Sequence, residues 1–389
     1  MAIYLDHAAT TPVRREVVDA MLPYLTDHWG NPSSIHAAGR RARQGLDEAR
    51  EIVARLIGAK PREMVFTSGG SESDNLTIKG VAWAASARGR HIVTSAVEHK
   101  AVLHTCQVLE RRGFEVTYLP VDRYGRVDPA DVDAAITDRT TLVSIMYANN
   151  EVGTLQPISE IGAVTRRRGV LFHTDAVQAG GYLRLDVDEL QVDLLSLGAH
   201  KLYGPKGVGA LYIRQGTQIV PEIQGGSQER QRRAGTENVP LIVGFATALE
   251  LAQGDEPARD AENRRQSELR DRLIEGLTRL PGVALAGHPT ERMPNSAALL
   301  IDGVEGGELV AALDLEGIEA STGSACTSGS TDPSHVLLAM GIEPLRAHGS
   351  LRLTVGRDTT VDEINESVAT IGRLVERLRS YSGAVLAAV

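Results

Sequence analysis

The sequence predicts an α/β fold: a large domain built on a mainly parallel seven-stranded sheet, joined to a smaller α+β domain. Three observations predict it. Between Met64 and Arg214, seven short β-branched or apolar runs alternate with helical stretches, the pattern of strands joined by crossover helices. Beyond Pro281-Gly282 the pattern changes to segments of alternating polarity interleaved with helices, which marks a compact α+β unit. The length of 389 residues also exceeds the ~100–200 of one typical domain.

The seven strands are read at Met64–Thr67, His91–Ser95, Glu115–Leu119, Thr141–Tyr147, Val170–Thr174, Asp193–Leu197 and Gly209–Ile213. Asp128-Pro129 marks a helix start, with an N-cap residue before proline at the first helical position. Arg166-Arg167-Arg168 closes a helix before Gly169, where cations complement the helix dipole. From Val239 a helical stretch runs through the polar Gln253–Gln266 region into a long charged helix ending near Pro281. The second unit carries strands at Ser296–Ile301 and Leu351–Val355, with helices at Gly307–Leu315, Ser334–Ala339 and Val361–Leu378. The division expected is 16–255 for the large domain, with 1–15 and 256–389 forming the small one.

Composition excludes several classes. A formal net charge of −9 argues against a surface that attracts nucleic acid or an anionic membrane, and no apolar run approaches the ~20 residues of a membrane span. The chain starts on the strand-like Ile3-Tyr4-Leu5, which leaves no room for a signal peptide, so a cytoplasmic location is expected. Two cysteines cannot form a disulfide framework, and each reads as a buried small hydrophobe or a reactive thiol. No metal-binding set is expected.

In such sheets ligands bind at the carboxyl ends of strands, which directs attention to three places. Thr67-Ser-Gly-Gly-Ser-Glu-Ser73 follows a strand and opens a helix, so its glycines admit close backbone approach and free N–H groups form an anion cradle. Asp175, in Asp175-Ala-Val-Gln178, stands at the edge of the sheet; taken alone it reads as a helix N-cap before it reads as a cofactor ligand. Lys201 follows Gly198-Ala199-His200 and precedes the tight turn Leu-Tyr-Gly-Pro, and a lysine held there can form a Schiff base. A phosphate cradle, a strand-end carboxylate and a strand-end lysine, in that order, are what pyridoxal phosphate requires.

With these residues in place the chain resembles the cysteine desulfurases of the NifS/IscS type, in the class-V aminotransferase group of fold-type-I pyridoxal-phosphate transferases. The resemblance rests on Tyr4-Leu-Asp-His-Ala-Ala-Thr-Thr-Pro12, Gly30-Asn-Pro-Ser-Ser34, the cradle, Glu98-His-Lys-Ala-Val102 and Asn149-Asn-Glu-Val-Gly153. It continues through His200-Lys201, Arg233-Ala-Gly-Thr236, Gly323-Ser-Ala-Cys-Thr-Ser328 and Ser350-Leu-Arg352, and so spans nearly the whole chain.

The resemblance implies a cysteine desulfurase that converts L-cysteine to L-alanine and leaves a persulfide on Cys326. It implies that Lys201 carries pyridoxal 5'-phosphate and moves protons, that Asp175 pairs with the pyridine nitrogen, and that Gln178 bonds the ring oxygen. His99 would stack on the ring and serve as an acid or base. Gly70, Ser71 and His200 would hold the phosphate, joined by Thr236 from a second subunit of a homodimer. Asn150 and Arg352 would bind the substrate carboxylate, a task suited to the planar fork of arginine.

Cys326 lies in a small-residue loop, Ser321 to Pro333, expected to be exposed and mobile enough to carry sulfur to an acceptor protein. The acceptor would be an iron–sulfur scaffold or a tRNA-thiolation enzyme, with a DNA-phosphorothioation system as a further choice. Cys106, in Val102-Leu-His-Thr-Cys-Gln-Val-Leu109, reads as helix core. Gly198 stands where relatives commonly carry serine, which bears on cofactor affinity rather than on reaction type. The alternatives are selenocysteine lysis or another pyridoxal-phosphate reaction on a small amino acid, and a non-catalytic scaffold partner; the last predicts damage at Lys201, Asp175 or Cys326, and all three are intact.

Overall fold

The computed structural model describes residues 2–323 and 332–387. The N-terminal part comprises β1 (Ile3–Tyr4), α1 (Arg15–Thr26), α2 (Ala37–Leu56), β2 (Met64–Thr67) and α3 (Gly70–Ala84). Then follow β3 (His91–Ser95), α4 (Lys100–Glu110), β4 (Glu115–Leu119), α5 (Pro129–Ala135), β5 (Thr140–Ser144) and α6 (Ile158–Arg168). The sheet is completed by β6 (Leu171–Asp175), β7 (Leu194–Gly198) and β8 (Gly209–Ile213), after which come α7 (Val239–Gln253) and α8 (Glu256–Thr278). The remainder is β9 (Val283–Ala286), β10 (Ser296–Ile301), α9 (Gly306–Leu315), β11 (Ile318–Glu319), α10 (His335–Ala339), α11 (Pro344–Ala347), β12 (Ser350–Thr354) and α12 (Val361–Ala387).

Seven strands form one sheet in the order β2-β8-β7-β6-β5-β3-β4. Its pairs are parallel except those of β8, which runs antiparallel to β2 and β7. The strands lie within a residue of the expected runs at most ends. The exception is the run through Tyr147, which leaves strand geometry after Ser144 although Ile145 and Tyr147 still donate to His173 and Asp175 carbonyls. Alternate residues sort to two faces: Phe172, Leu195 and Leu197 join one apolar core with α2, α6 and α7, while Leu142, Leu194 and Leu211 join another under α3 and α4.

Local capping agrees with the sequence. Asp128 accepts from the Ala130 N–H at the start of α5, and Gly169 closes α6 with φ 66°, a left-handed cap that glycine adopts without strain. Arg168 turns back to Asp133 on α5 at 2.7 Å. The polar Gln253–Gln266 region is not a connector: it is mostly the first half of α8, because Asp255 caps the Ala258 N–H and Pro257 stands in the first turn.

The second sheet has the order β12-β10-β9, all antiparallel, and encloses its own apolar core with α8, α9 and α12. Ile3 and Leu5 belong to that core, since β1 pairs in parallel with β11 some 300 residues away, Ile3 opposite Ile318. The N-terminal strand is thereby anchored on the second unit, and residues 6–12 run on from it to the end of β7.

Candidate active site

A cavity of about 420 Å³ opens at the carboxyl ends of β2, β5, β6 and β7, where the large sheet meets β12. Its wall includes Gly70, Ser71, His99, Asp175, Gln178, His200 and Lys201, with Asn150 and Arg352 at the side of the second sheet. Nine of the residues expected to act together are therefore in one cavity.

The cradle is built by α3. Gly69 has φ 152°, and a Cβ on Gly70 would stand 2.5 Å from Val177 Cγ2, so both positions need glycine for the chain to turn into the helix. Glu72 folds back to accept from the Ser68 N–H at 2.8 Å and pairs with Arg233 at 2.8 Å, which leaves the Gly70 and Ser71 end directed at the cavity. At Gly198 a serine Cβ would lie 3.2 Å from Val177 Cγ1, so the larger residue fits only if Val177 gives by a few tenths of an ångström.

Asp175 ends β6 rather than following it, and no helix succeeds it: its Oδ1 accepts from Val177 N–H at 2.9 Å in a turn. Its N-cap reading thus gives way to a turn carboxylate at the sheet edge. Burial pushes its pKa up, while His99 and Lys201 pull it back towards ionisation. Lys201 sits in a one-turn 3₁₀ segment, and its Nζ donates to the Ala8 carbonyl at 2.5 Å and the Ala9 carbonyl at 2.7 Å. Tyr203, with φ 63°, forms the next turn and is held there by Thr11, whose Oγ1 accepts the Tyr203 N–H at 2.7 Å. The strain of a left-handed tyrosine, of the order of 1 kcal/mol or more, is thus met by segment 6–12.

His99 caps α4: its Nδ1 accepts from Ala101 N–H at 3.1 Å, so in the neutral ring the proton lies on Nε2. His200 faces Thr10 Oγ1 at 3.3 Å, and burial with Lys201 and Lys206 nearby lowers its pKa to about 4, so it is neutral at pH 7. Gln178 is anchored by its Nε2 to the Ala8 carbonyl at 3.0 Å.

Arg352 is buried on β12 and pairs with Asp6 at 2.8 Å; its Nη1 donates to the Asn150 carbonyl at 2.8 Å. Its Nε is buried and finds no partner among the described residues. An unmatched guanidinium N–H at a cavity wall costs about 1–3 kcal/mol unless an acceptor arrives, and a carboxylate is the acceptor whose geometry matches it.

Thr236 stands apart from this group. It is exposed and does not line the cavity of its own chain. Cys326 lies outside the described residues. Cys106 is fully buried in α4, and burial pushes its thiol up to about 12. The residues that sequence reasoning missed are Asp6, the Ala8 and Ala9 carbonyls, and Asp74 in the cavity wall; Asp74 stands in the polar stretch Ser71-Glu-Ser-Asp-Asn75, which gives no local signal of its burial.

Next to the cavity Glu98 is fully buried, accepting from Ser95 Oγ at 2.6 Å and from Met146 N–H at 3.0 Å, and burial pushes its pKa to about 8. Its ordinary value is near 4.5, so between pH 4.5 and 8 the folded protein binds a proton that the unfolded chain does not. Its contribution to stability is therefore full below pH 4.5 and is lost as the pH rises towards 8. Glu98→Gln should flatten the fall in melting temperature of the cofactor-free protein between pH 5 and 8.5. An unchanged slope would remove Glu98 as its source.

Donors for a phosphate, a carboxylate for a pyridine nitrogen, a lysine within reach, and an unmatched arginine N–H for a carboxylate fit pyridoxal phosphate and an amino-acid substrate. Comparison with known proteins gives the same answer. The aminotransferase class-V family model matches residues 3–366. "Cysteine desulfurase IscS" of Methanosarcina thermophila is 52% identical over 381 residues, 98% of this chain and 94% of that protein. The solved structure of a "NIFS-LIKE PROTEIN" superposes with a TM-score of 0.91 at 37% identity, over 97% of this chain and all of that one. "SspA in complex with cysteine" superposes with a TM-score of 0.81 at 38% identity, over 92% of this chain and all of that one.

Proposed function

The chain belongs to the aminotransferase class-V family and within it is a pyridoxal-phosphate-dependent cysteine desulfurase, and on that premise we propose which of its residues carry the reaction and where the sulfur goes. The observation that carries the residue assignment is Lys201 in one cavity with the α3 cradle, the Asp175 carboxylate and the unmatched Nε of Arg352.

Gly70 and Ser71 hold the phosphate through the start of α3, with neutral His200 as a further donor and Thr236 arriving from a second copy of the chain. Asp175 would pair with the pyridine nitrogen and keep it protonated, and Gln178, anchored on Ala8, would bond the ring oxygen. His99 would stack on the ring, its Nε2 proton lying on the opposite side from its cap bond. Pyridoxal phosphate, when bound, supplies an electrophilic carbon and a ring that accepts electrons from the substrate. Asn150 and Arg352 grip the carboxylate of L-cysteine. The amine of Lys201 and the imidazole of His99 move protons to and from the substrate carbon. Cys326 attacks the substrate sulfur: its S–S bond forms as the C–S bond of L-cysteine breaks, and a proton returned to the carbon gives L-alanine and the enzyme persulfide.

A homodimer is supported by an exposed apolar stretch at Leu22, Leu25, Trp29 and Ile35, the last 91% exposed, on the same N-terminal part of the chain as the Gly30–Ser34 motif. Separate cores support a large cofactor-binding unit at 16–255 and a small one from 1–15 and 256–389. The persulfide passes to an acceptor protein of iron–sulfur assembly or tRNA thiolation. Thiol chemistry of this kind suits the reducing cytoplasm, and among the described residues no helix is long and apolar enough to cross a membrane.

The test is the visible spectrum of the purified protein, followed by assay of alanine and sulfide from L-cysteine with and without reductant. Colour without alanine would defeat the assignment. Asp175→Ala should keep some cofactor yet slow alanine release by about a hundredfold or more, because an unprotonated pyridine is a poor electron sink. Near-normal alanine formation would break the pairing of Asp175 with the ring nitrogen.

A further inference from the structure

Under α3 the sheet carries a polar line that the reaction as described does not use. Ser144, His173 and Ser196 stand on neighbouring strands β5, β6 and β7, each fully buried, on the face otherwise made of Leu142, Leu194 and Leu211. His173 Nδ1 lies 2.8 Å from Ser144 Oγ and its Nε2 lies 2.9 Å from Ser196 Oγ. Ser196 stands beside Asp74 on α3, and Ser196 is in register with Asp175 on the next strand. Asp74 is 1% exposed, lines the cavity beside Asp175, and its Oδ1 has no hydrogen-bond partner among the described residues.

We propose that Asp74 is a positioning residue for the ring-nitrogen end of the cavity, standing as a neutral carboxylic acid beside the ionised Asp175. Two carboxylates in one dry wall cannot both keep their charge, and the proton goes to the one with the poorer cationic surroundings. Asp175 has Lys201 and His99 to hold it ionised. Among the described residues Asp74 has no cation beside it: the Ser196 hydroxyl favours its ionised form, but less than burial and Asp175 oppose it, and His173, whose Nε2 is 3.7 Å from its Oδ1, has both nitrogens occupied by hydroxyls. Burial holds that imidazole neutral, lowering its pKa to about 3. The start of α3 favours an anion, but that influence fades beyond the first turn, and Asp74 lies past it.

A proton on Asp74 gives the line one direction. The Asp74 O–H donates to Ser196, the Ser196 O–H to His173 Nε2, and His173 Nδ1–H to Ser144. One negative charge, rather than two, then faces the ring nitrogen, and the wall holding it is closed by hydrogen bonds. The inference rests on the reading that this cavity holds pyridoxal phosphate, but its first test does not need the cofactor.

The infrared difference between cofactor-free wild type and Asp74→Asn at neutral pH should contain the carbonyl stretch of a protonated carboxyl, lost in the variant. Asparagine is neutral and keeps a donor, so pyridoxal phosphate should bind Asp74→Asn within about twofold of wild type, whereas Asp74→Leu, which opens the line, should weaken binding about tenfold or more. An infrared difference showing an ionised carboxylate instead, or an Asp74→Asn that loses cofactor as severely as Asp175→Asn, overturns the proposal. If Asp74→Leu does not fold, the infrared band and the Asp74→Asn affinity still decide. Should the protein bind no pyridoxal phosphate at all, the functional reading fails while the infrared result still reports the state of Asp74.

Discussion

Lys201→Ala is expected to abolish the visible absorbance of bound pyridoxal phosphate and to lower alanine release from L-cysteine by more than about a thousandfold. Among the described residues of the cavity wall Lys201 is the one lysine, and the covalent attachment and the proton traffic at the substrate carbon both need an amine there. The substitution also leaves the Ala9 carbonyl without this donor and the Ala8 carbonyl with Gln178 alone, a cost of about 1–3 kcal/mol that should appear as a lower melting temperature. Lys201→Arg separates the two effects, since a guanidinium can serve the carbonyls but cannot form the covalent attachment. A Lys201→Ala protein that keeps its colour and its turnover would show that the cofactor lysine lies elsewhere.

Cys326→Ser is expected to bind pyridoxal phosphate and L-cysteine as the wild type does and to release less than about one hundredth of its sulfide, because a hydroxyl is a far weaker nucleophile towards sulfur than a thiolate. Cys106→Ser is the contrasting case. That thiol lies in the α3–α4 core, fully buried and pushed up to about 12, so it is neither ionised nor within reach of substrate. Serine there should preserve activity and cost about 1–3 kcal/mol of stability, since a hydroxyl replaces a small apolar group. After one turnover without reductant, peptide mass spectrometry should find the added sulfur on the Cys326 peptide alone. Sulfur on Cys106, or full activity in Cys326→Ser, would end the persulfide assignment.

The strands that bear Asp175 and Lys201 were legible from the chain because a buried parallel strand is a continuous short apolar run, and such a run identifies its own carboxyl end to within a residue. Caps at Asp128 and Gly169 were legible for the same local reason: they satisfy or relax backbone within a few residues of themselves. The ordered motifs carried the chemistry, since a cradle, a carboxylate and a lysine at successive strand ends leave little freedom in what they can hold together.

Tertiary structure decided what joins residues far apart. The Ala8 and Ala9 carbonyls meet Lys201 across more than 190 residues, and Asp6 meets Arg352 across 346, because β1 is held by β11 in the second unit while the segment after it crosses to the end of β7. Nothing in the local pattern of residues 4–12 encodes that path; it follows from which unit buries Ile3 and Leu5. Protonation was equally out of reach of the sequence. Asp74, Glu98 and Asp175 are three carboxyls of similar ordinary acidity, and only their depth, and which of them has Lys201 and His99 nearby, sets how strongly burial pushes each one up.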